Sequence, residues 1–400
     1  MSWPRKPLDQ LGFVGRGKSR HRPRNDPTLY GGEHPFIQTA DIMASEFRIQ
    51  GYSKTYSDIG LAQSKLWTEA TLCMTIAGEN TAETAILDFP ACFPDSIVGF
   101  IPDPEKSDIR FVKYSLDLMK RDFKSISKGA TQDNLSLAKL LSFGIPSPPL
   151  GIQKRIGDIL SAYDDLIENN RRRIRLLEDA ARLLYREWFV YFRFPGHEHV
   201  KIIDGVPEGW SRGVVSDFYD TASGGTPSRK NPEFYGGEIK WVKTQELQDG
   251  FLFDTEEHIT EDAVNKSAAK LFPAYTVLIA MYGATIGQVG VVVGSSTCNQ
   301  ACCAVTPKAE GTNYEHALLF FLSNKDGLRN LGQGAAQKNI SQQVIRGYEM
   351  VLPGSLILQM FQSHVKPFLE QIRTLQEMNH KLRAARDLLL PRLMNGEIAV

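Results

Sequence analysis

Residues 12–19 have the residue types and the spacing of a nucleotide phosphate-binding loop. They read GFVGRGKS, which satisfies the pattern G-x-x-x-x-G-K-S. In such a loop, backbone N–H groups surround the phosphates, the lysine reaches a phosphate and the serine binds magnesium. Lys18 and Ser19 would have these two roles in an enzyme that hydrolyses nucleoside triphosphates.

The neighbours of this segment argue against nucleotide chemistry. A phosphate-binding loop needs a buried strand before it and a helix N-terminus after it. Residues 1–11 contain two prolines and no apolar strand, and Pro23 and Pro27 exclude a helix soon after Ser19. We therefore predict that this chain hydrolyses no nucleotide.

Two further patterns are too incomplete to indicate catalysis or metal binding. Residues 231–234, NPEF, are similar to the N-P-P-F/Y motif of adenine methyltransferases, but Glu233 replaces the second proline. Cys298, Cys302 and Cys303 have neither a CxxC pair nor a nearby histidine to complete a zinc site. We predict a turn at residues 231–234, and we expect the cysteines to pack as small apolar residues in a strand.

The chain contains two copies of one unit at an offset of 205 residues. Residues 26–42 align without gaps with residues 231–247, and six of the seventeen positions are identical. Residues 129–136 match residues 334–341 at five of eight positions with the same offset. Two separated blocks that share one offset indicate a tandem duplication.

The two copies differ in length near their beginnings. Trp3-x-Arg5 is similar to Trp210-x-Arg212, at an offset of 207 residues instead of 205. A two-residue difference therefore lies in the loop that precedes the first aligned block. In both copies this loop is rich in Gly, Ser, Arg and Lys, but the second copy lacks the G-x-x-x-x-G-K-S pattern.

Each copy ends in a long amphipathic segment. Apolar residues recur at three- and four-residue steps from Ile152 to Trp188 and from Ile357 to Leu389, and Pro149 and Pro353 are suitable start signals. Helices of about 35–40 residues would be roughly 55 Å long. Because a helix with one apolar stripe is not stable alone, we expect the two to pair; the alternative is that each packs only on its own domain.

We therefore predict a mixed α/β fold in which two globular β-rich domains form a tandem pseudo-repeat. They are separated by two long helices that form an antiparallel coiled coil. The predicted boundaries are residues 1–148 for the first domain, 149–190 for the first helix, 191–209 for a crossover loop, 210–353 for the second domain and 354–400 for the second helix.

Composition and charge indicate a protein without a membrane partner. No apolar run approaches the length of a bilayer, and residues 1–25 are basic and proline-rich, unlike a secretory signal. Five cysteines without framework spacing fit a reducing, cytoplasmic environment. The net charge is zero, but five basic residues crowd residues 16–24 and three more form residues 171–173. Such local basic density suits a phosphate-bearing partner.

The chain resembles the specificity (S) subunit of type I restriction-modification enzymes over essentially its whole length. The resemblance depends on the order of globular and helical parts and on several segments together. These segments include SGGTPSRKNPEFYGGEIKWVKTQEL, GATIGQVG, AAQKNISQ, FRFPGHEHVKIIDGVPEGW and LLLPRLMNGEI. The first copy departs from the second because GRGKSRHRP replaces the Gly-Gly-Thr-Pro-Ser loop.

The resemblance implies a non-catalytic DNA-binding protein. Each globular part would be a target recognition domain that reads one half of a split sequence in double-stranded DNA, and the helices would set the gap between the halves. The implied partners are two methyltransferase (M) subunits and restriction (R) subunits. The implied cofactors, S-adenosylmethionine, ATP and magnesium, belong to those partners and not to this chain.

The candidate DNA contacts lie in the basic loops and just after the strand that follows each loop. Arg and Lys suit phosphate contacts, and Arg, Gln and Asn suit base edges. Gln132 and Asn134, with Gln337 and Asn339, are expected either to contact DNA or to tie each domain to its helix. The main candidates are Lys18, Arg20, Arg22, Arg24, Gln38 and Thr39 in the first copy, and Thr226, Ser228, Arg229, Lys230, Lys243 and Thr244 in the second.

The sequence also allows a function of a different class. Duplicated β-rich domains with long helices also suit a coiled-coil scaffold that does not bind DNA. Such a protein would show no salt-dependent DNA binding and would not co-purify with a methyltransferase.

Overall fold

The computed structural model describes residues 3–127, 134–308, 311–332 and 339–400, and it divides into two compact units. One unit comprises residues 1–168 with 380–400, and the other comprises residues 169–379. The expectations for Gln132 and Gln337 lie outside the described residues.

The first copy consists of short strands and helices followed by one long helix. Its strands are β1 (Arg5–Lys6), β2 (Gly12–Arg16), β3 (Tyr30–Phe36), β4 (Arg48–Ile49), β5 (Lys54–Tyr56), β6 (Leu66–Trp67), β7 (Leu72–Thr75), β8 (Thr84–Leu87), β9 (Ala91–Cys92), β10 (Ile97–Pro102) and β11 (Ile145–Pro146). Its helices are α1 (Thr39–Ala44), α2 (Asp58–Ala62), α3 (Ile109–Leu118), α4 (Lys120–Ser127), α5 (Leu137–Leu141) and the 36-residue α6 (Leu150–Tyr185).

The second copy repeats this plan after a π-helical turn, Arg186–Val190, and two short crossover strands. Its strands are β12 (Ile202–Ile203), β13 (Val206–Pro207), β14 (Ser211–Val214), β15 (Tyr219–Ser223), β16 (Tyr235–Val242), β17 (Gly250–Leu252), β18 (His258–Ile259), β19 (Val277–Ala280), β20 (Val289–Val292), β21 (Thr297–Cys298), β22 (Cys302–Pro307) and β23 (Glu349–Leu352). Its helices are α7 (Val215–Phe218), α8 (Glu261–Lys266), α9 (Tyr314–Ser323), α10 (Lys325–Leu331), α11 (Gln342–Arg346) and the 40-residue α12 (Ser355–Met394).

The main sheets of the two copies have the same topology, which confirms the predicted pseudo-repeat. The strand order is β2-β10-β7-β8-β4 in one and β15-β22-β19-β20-β17 in the other. In both sheets only the last pair, β8 with β4 and β20 with β17, is parallel. Central strands such as β19 and β20 are apolar at nearly every position and buried throughout, because both of their faces are covered.

A second, smaller sheet in each copy is built around the strand of the first aligned block. Its order is β5-β3-β9-β6 in the first copy and β18-β16-β21 in the second. Asn134 and Asn339 occupy equivalent positions, since each forms an isolated β-bridge, with Ala77 and Tyr282 respectively. These contacts lie within each β-rich part.

The helices α6 and α12 run antiparallel, as predicted. In the first unit, Ile156 and Leu160 share a core with Leu393 and Met394. In the second unit, the buried amide of Asn170 donates to Asn379 at 2.9 Å.

The far end of the same pairing lies at the end of α6. There, the rings of Tyr185, the last residue of α6, and Phe361 lie 6.2 Å apart. Residues later in α6 therefore meet residues earlier in α12, and the alternative of two helices that pack only on their own domains is wrong.

A buried polar cluster distinguishes the helix pairing in the first unit. Tyr114 of α3 and Arg386 of α12 both donate to the carboxylate of Asp164 on α6. The positions equivalent to these three, at the offset of 205, are Leu319, Ala181 and Leu369, which lie together in the second unit. One copy therefore has a polar triad where the other has apolar side chains.

All five cysteines are buried free thiols, and those of the second copy lie in or at the ends of β21 and β22 as predicted. Burial raises the pKa of Cys303 to about 12, so this thiol stays protonated at neutral pH. Within the described ranges, no cluster of His, Cys, Asp and Glu could hold a metal ion, and no helix has the length and hydropathy needed to cross a bilayer.

Candidate nucleic-acid interface

The segment that matches a phosphate-binding pattern forms an edge strand and the residues that follow it, and it does not form a phosphate-binding loop. Residues Gly12–Arg16 form β2, which pairs antiparallel with β10. The N–H groups of Gly17 and Lys18 are already used, since they donate to the carbonyls of Ile97 and Phe93 at 2.9 and 3.0 Å. No N–H cluster is therefore left to surround phosphates at this point of the chain.

The second copy has the same strand exit. Gly224 donates to Cys302 at 3.2 Å and Gly225 donates to Cys298 at 2.9 Å. These acceptors are the positions equivalent to Ile97 and Phe93, so Gly17 corresponds to Gly224 and Lys18 to Gly225. The offset is 207 at this point.

By the start of the aligned block the offset is 205, so Arg24 corresponds to Arg229. The two extra residues of the first copy therefore lie between Lys18 and Arg24. The segment that connects two conserved points of the scaffold is residues 19–23 in one copy and residues 226–228 in the other.

In the first copy, the predicted arginines have different environments. The guanidinium of Arg24 donates to both carboxylate oxygens of Asp95 at 2.8 and 3.0 Å. That of Arg22 donates to backbone carbonyls of Ser19 and His21, which holds the loop in shape. Arg20 is exposed at the loop surface.

Lys18 lies beside a lysine that sequence reasoning missed. Ser64 donates to the carbonyl of Lys18 at 2.8 Å, and the next residue, Lys65, lies over the rings of Trp67 and Phe13. Burial lowers the pKa of Lys65, and the charge of Lys18 lowers it further. Because Lys65 is distant in sequence from the basic loop, only the tertiary fold brings the two cations together.

In the second copy, one carboxylate joins two of the predicted cations. Glu257 accepts from Arg229 at 2.7 and 3.0 Å and pairs with Lys243 at 2.6 Å. Arg229 also lies over the ring of Tyr235, 4.2 Å from its centroid. Hydrogen bonds from Arg229 and Lys243 lower the pKa of Glu257 to about 2, so this carboxylate is ionised at any physiological pH.

The remaining loop candidates of the second copy are exposed polar groups. Thr226 donates to the side chain of Gln300, and the hydroxyl of Ser228 accepts from the backbone N–H of Lys230 at 3.3 Å. All three predicted residues face solvent. Gln300 is equivalent to Asp95, which holds Arg24 in the first copy.

The candidate residues that follow β3 and β16 lie at equivalent helix N-termini in the two copies. Gln38 and Lys243 each donate a backbone N–H at 2.7 Å to an acid three residues later, Asp41 and Glu246. The following residue is partly exposed Thr39 in one copy and buried Thr244 in the other. The structure therefore brings Lys243 into the Arg229 cluster, but it leaves Thr244 largely inaccessible to a macromolecule.

Comparison with known proteins identifies the family to which both copies belong. The family described as type I restriction modification DNA specificity domain matches residues 3–179 and again residues 207–380. The chain belongs to this family. The two matches coincide with the two copies, so each copy is one specificity domain.

The chain is similar to specificity subunits of other organisms, and one of these similarities extends over its full length. The MjaIX specificity subunit of Methanocaldococcus jannaschii is 25% identical and covers 100% of this chain and 94% of its own. The HindI specificity subunit of Haemophilus influenzae is 26% identical over 69% of this chain and 74% of its own. Among solved structures, the S subunit from M. genitalium matches with a TM-score of 0.64 at 14% identity, covering 98% of this chain and 96% of that one.

The protein is thus a specificity subunit of a type I restriction-modification system. It is the non-catalytic subunit, and it recognises the DNA target. The similarity to the M. genitalium structure confirms the predicted fold, with two β-rich domains and an antiparallel pair of long helices.

Proposed function

We propose that each copy of the repeat reads one half of a bipartite sequence in double-stranded DNA. Residues 1–148 and 210–353 are the two target recognition domains. Residues 149–190 and 354–400 are the spacer helices that set the gap between the half-sites, and residues 191–209 are the crossover.

The observation that carries this proposal is one scaffold with two different loops. The strand exits at Gly17 and Gly224 are equivalent in their hydrogen bonds, and Arg24 and Arg229 occupy one scaffold position. From the first point to the second, the first copy has GKSRHRPR and the second copy has GGTPSR. Two loops that differ in length and in side chains on one scaffold are suited to two different half-sites.

We assign the DNA contacts to the exposed basic loop of each copy and to the cations that lie close to it. Arg24 and Arg229 are the candidates for base edges, since a guanidinium held by a carboxylate is already oriented. Lys18, Arg20, Lys230 and Lys243 are the candidates for phosphates. Arg22 supports its loop, while Thr226, Ser228, Gln38 and Thr39 add polar contacts, and the buried Thr244 is the weakest of the candidates.

The catalytic steps belong to partners in this proposal. Two methyltransferase subunits bring S-adenosylmethionine, and restriction subunits bring ATP and magnesium. The exposed faces of the helices α6 and α12 provide the surface on which these subunits assemble. The specificity subunit contributes the choice of sequence.

The test is to change one arginine in each domain and read the methylated sequence. Arg24→Ala and Arg229→Ala, each expressed with the methyltransferase subunits, are assayed by sequencing that detects methylated bases across a genome. Each variant should relax at least one position in one half-site, and the two variants should affect different halves. The loss of a base contact corresponds to about 1–3 kcal/mol of discrimination.

Arg193→Ala is the matched control, because Arg193 is also an exposed, ion-paired arginine but lies in the crossover. It should leave the methylated sequence unchanged. If Arg24→Ala and Arg229→Ala alter the same half, or if neither alters any position, the assignment of one half-site to each copy is wrong. Absence of salt-dependent DNA binding by the complex would instead favour a scaffold.

A further inference from the structure

The equivalent arginines Arg24 and Arg229 are held by carboxylates that come from different places in the fold. Asp95 follows β9, and its equivalent in the second copy is Gln300. Glu257 precedes β18, and its equivalent in the first copy is Lys54, because Ile259 and Tyr56 have equivalent partners in the two small sheets. Lys54 lies over the ring of Tyr30. Neither acid therefore has a counterpart in the other copy.

The geometry of the two ion pairs also differs. Arg229 uses both terminal nitrogens, one to each oxygen of Glu257, at 2.7 and 3.0 Å. Arg24 uses one terminal nitrogen for both oxygens of Asp95. A guanidinium has five N–H donors, so each arginine keeps a different set of donors for another partner.

A second cation contacts Glu257, and two aromatic rings contact Arg229. Lys243 binds the same carboxylate at 2.6 Å, and the Arg229 guanidinium lies 4.2 Å from the centroid of Tyr235 and 5.4 Å from that of Trp241. The arginine is thus held along one edge by the acid and across its face by the rings. Its orientation is determined by groups that lie on the scaffold of its own domain.

We propose that Glu257 and Asp95 are positioning residues for specificity, each of which aims the arginine of its domain at a base edge. The proposal rests on the function proposed above, in which Arg24 and Arg229 contact bases. One scaffold position then presents a guanidinium in two directions, because the acid that holds it lies on a different loop in each copy. The acid itself does not touch DNA. Its negative charge weakens the attraction of the arginine for phosphate, but its hydrogen bonds fix the direction in which the remaining donors of the guanidinium point.

The test compares Glu257→Gln with Arg229→Ala and with the double variant in the complex with methyltransferase subunits. The readout is a ratio of two affinities. The first is the affinity for DNA that contains the sequence methylated by the complex, and the second is the affinity for the same DNA with one base pair replaced in the half-site of the second domain. Glu257→Gln should lower this ratio about tenfold, which is within the range for a bidentate base contact. The double variant should lose no more discrimination than Arg229→Ala alone.

Salt dependence separates positioning from a structural effect. Removal of the acid leaves one more uncompensated cation beside the DNA, so binding to non-specific DNA should strengthen and its salt slope should steepen by about one phosphate contact. A variant that was merely damaged would lose affinity for every sequence. Glu257→Asp, which keeps the charge, should recover part of the discrimination.

Asp254→Asn is the matched control, since Asp254 lies three residues away on the same loop and pairs with His258 instead of the arginine. It should leave discrimination unchanged. If Glu257→Gln discriminates normally while Arg229→Ala does not, the positioning role is overturned and the proposed function stands. If Arg229→Ala also discriminates normally, the assignment of Arg229 to base recognition falls, and the positioning role falls with it.

Discussion

Gly17 and Gly224 mark the point at which each of the two basic loops leaves its sheet. A Cβ at Gly17 would lie 2.3 Å from the carbonyl oxygens of Phe93 and Pro94, and one at Gly224 would lie 2.1 Å from that of Cys298. Both obstacles are backbone atoms, which cannot move aside as a side chain can. Glycine is therefore required because two backbone segments approach each other closely.

Gly17→Ala should consequently destabilise the protein by about 1–3 kcal/mol, the usual cost of forcing atoms into a packed site. The measurement is the free energy of unfolding from denaturant titration. Gly51→Ala serves as the control, because no atom lies within 4 Å of its Cβ position. A Gly17→Ala protein as stable as the Gly51→Ala protein would show that the loop exit is free to shift.

At the scale of elements, the two helices pair through different chemistry in the two units. Asp164, Tyr114 and Arg386 are polar and buried, or nearly so, where the equivalent residues of the other copy are Leu369, Leu319 and Ala181. A buried ion pair is seldom more stable than apolar packing, but breaking one is costly. The triad therefore favours the pairing of the first half of α6 with the second half of α12, because any other pairing leaves a charge buried without its partner.

Arg386→Ala alone should destabilise the protein by about 3–5 kcal/mol, since it leaves Asp164 buried and unpaired. Tyr114→Leu, Asp164→Leu and Arg386→Ala together, which copy the other unit, should cost little or increase stability. Denaturant titration of the single and triple variants measures both effects. A triple variant as unstable as Arg386→Ala would contradict this account of the triad.

The cost of Arg386→Ala should also depend on pH. Burial raises the pKa of Asp164 above that of an unfolded chain, and loss of Arg386 removes a charge that opposes this shift. A folded-state carboxyl pKa above the unfolded value penalises folding at neutral pH and stops doing so as the group protonates. The difference in stability from the parent protein should therefore shrink as pH falls from 7 towards 4.

At the scale of the whole molecule, the chain carries no net charge. Its overall field therefore does not attract DNA, and attraction must come from local groups of cations such as those of the first loop. Lys18 and Arg20 are both exposed in that loop. They are phosphate candidates, so they should contribute to affinity for every sequence alike.

Lys18→Ala combined with Arg20→Ala should reduce the salt slope of DNA binding by the methyltransferase complex by about 1.8, from roughly 0.9 per phosphate contact. Fluorescence anisotropy over a range of salt concentrations measures the slope on cognate and non-cognate DNA. The charge-matched control is Arg193→Ala with Lys201→Ala, two exposed cations of the crossover. Equal slopes for the two double variants would remove the first loop from the phosphate contacts.

The duplication, the mixed α/β class and the long helices were predictable from the sequence alone. An offset of 205 residues and the periodic apolar positions of α6 and α12 are properties of the linear chain. The basic loops were also visible, because their residues are contiguous. The predicted coiled coil follows from the same periodicity, since an apolar stripe on a long helix has to be covered.

Only the tertiary structure determines which side chains contact the residues of those loops. Asp95 lies 71 residues from Arg24, Glu257 lies 28 residues from Arg229, and Lys65 lies close enough to Lys18 for their charges to interact. No local pattern marks such acids, because an isolated carboxylate in a loop has the same sequence environment whether it is solvated or holds an arginine. Which groups meet depends on how the sheet brings its loops to one edge, and that is a property of the packed fold and not of any single segment.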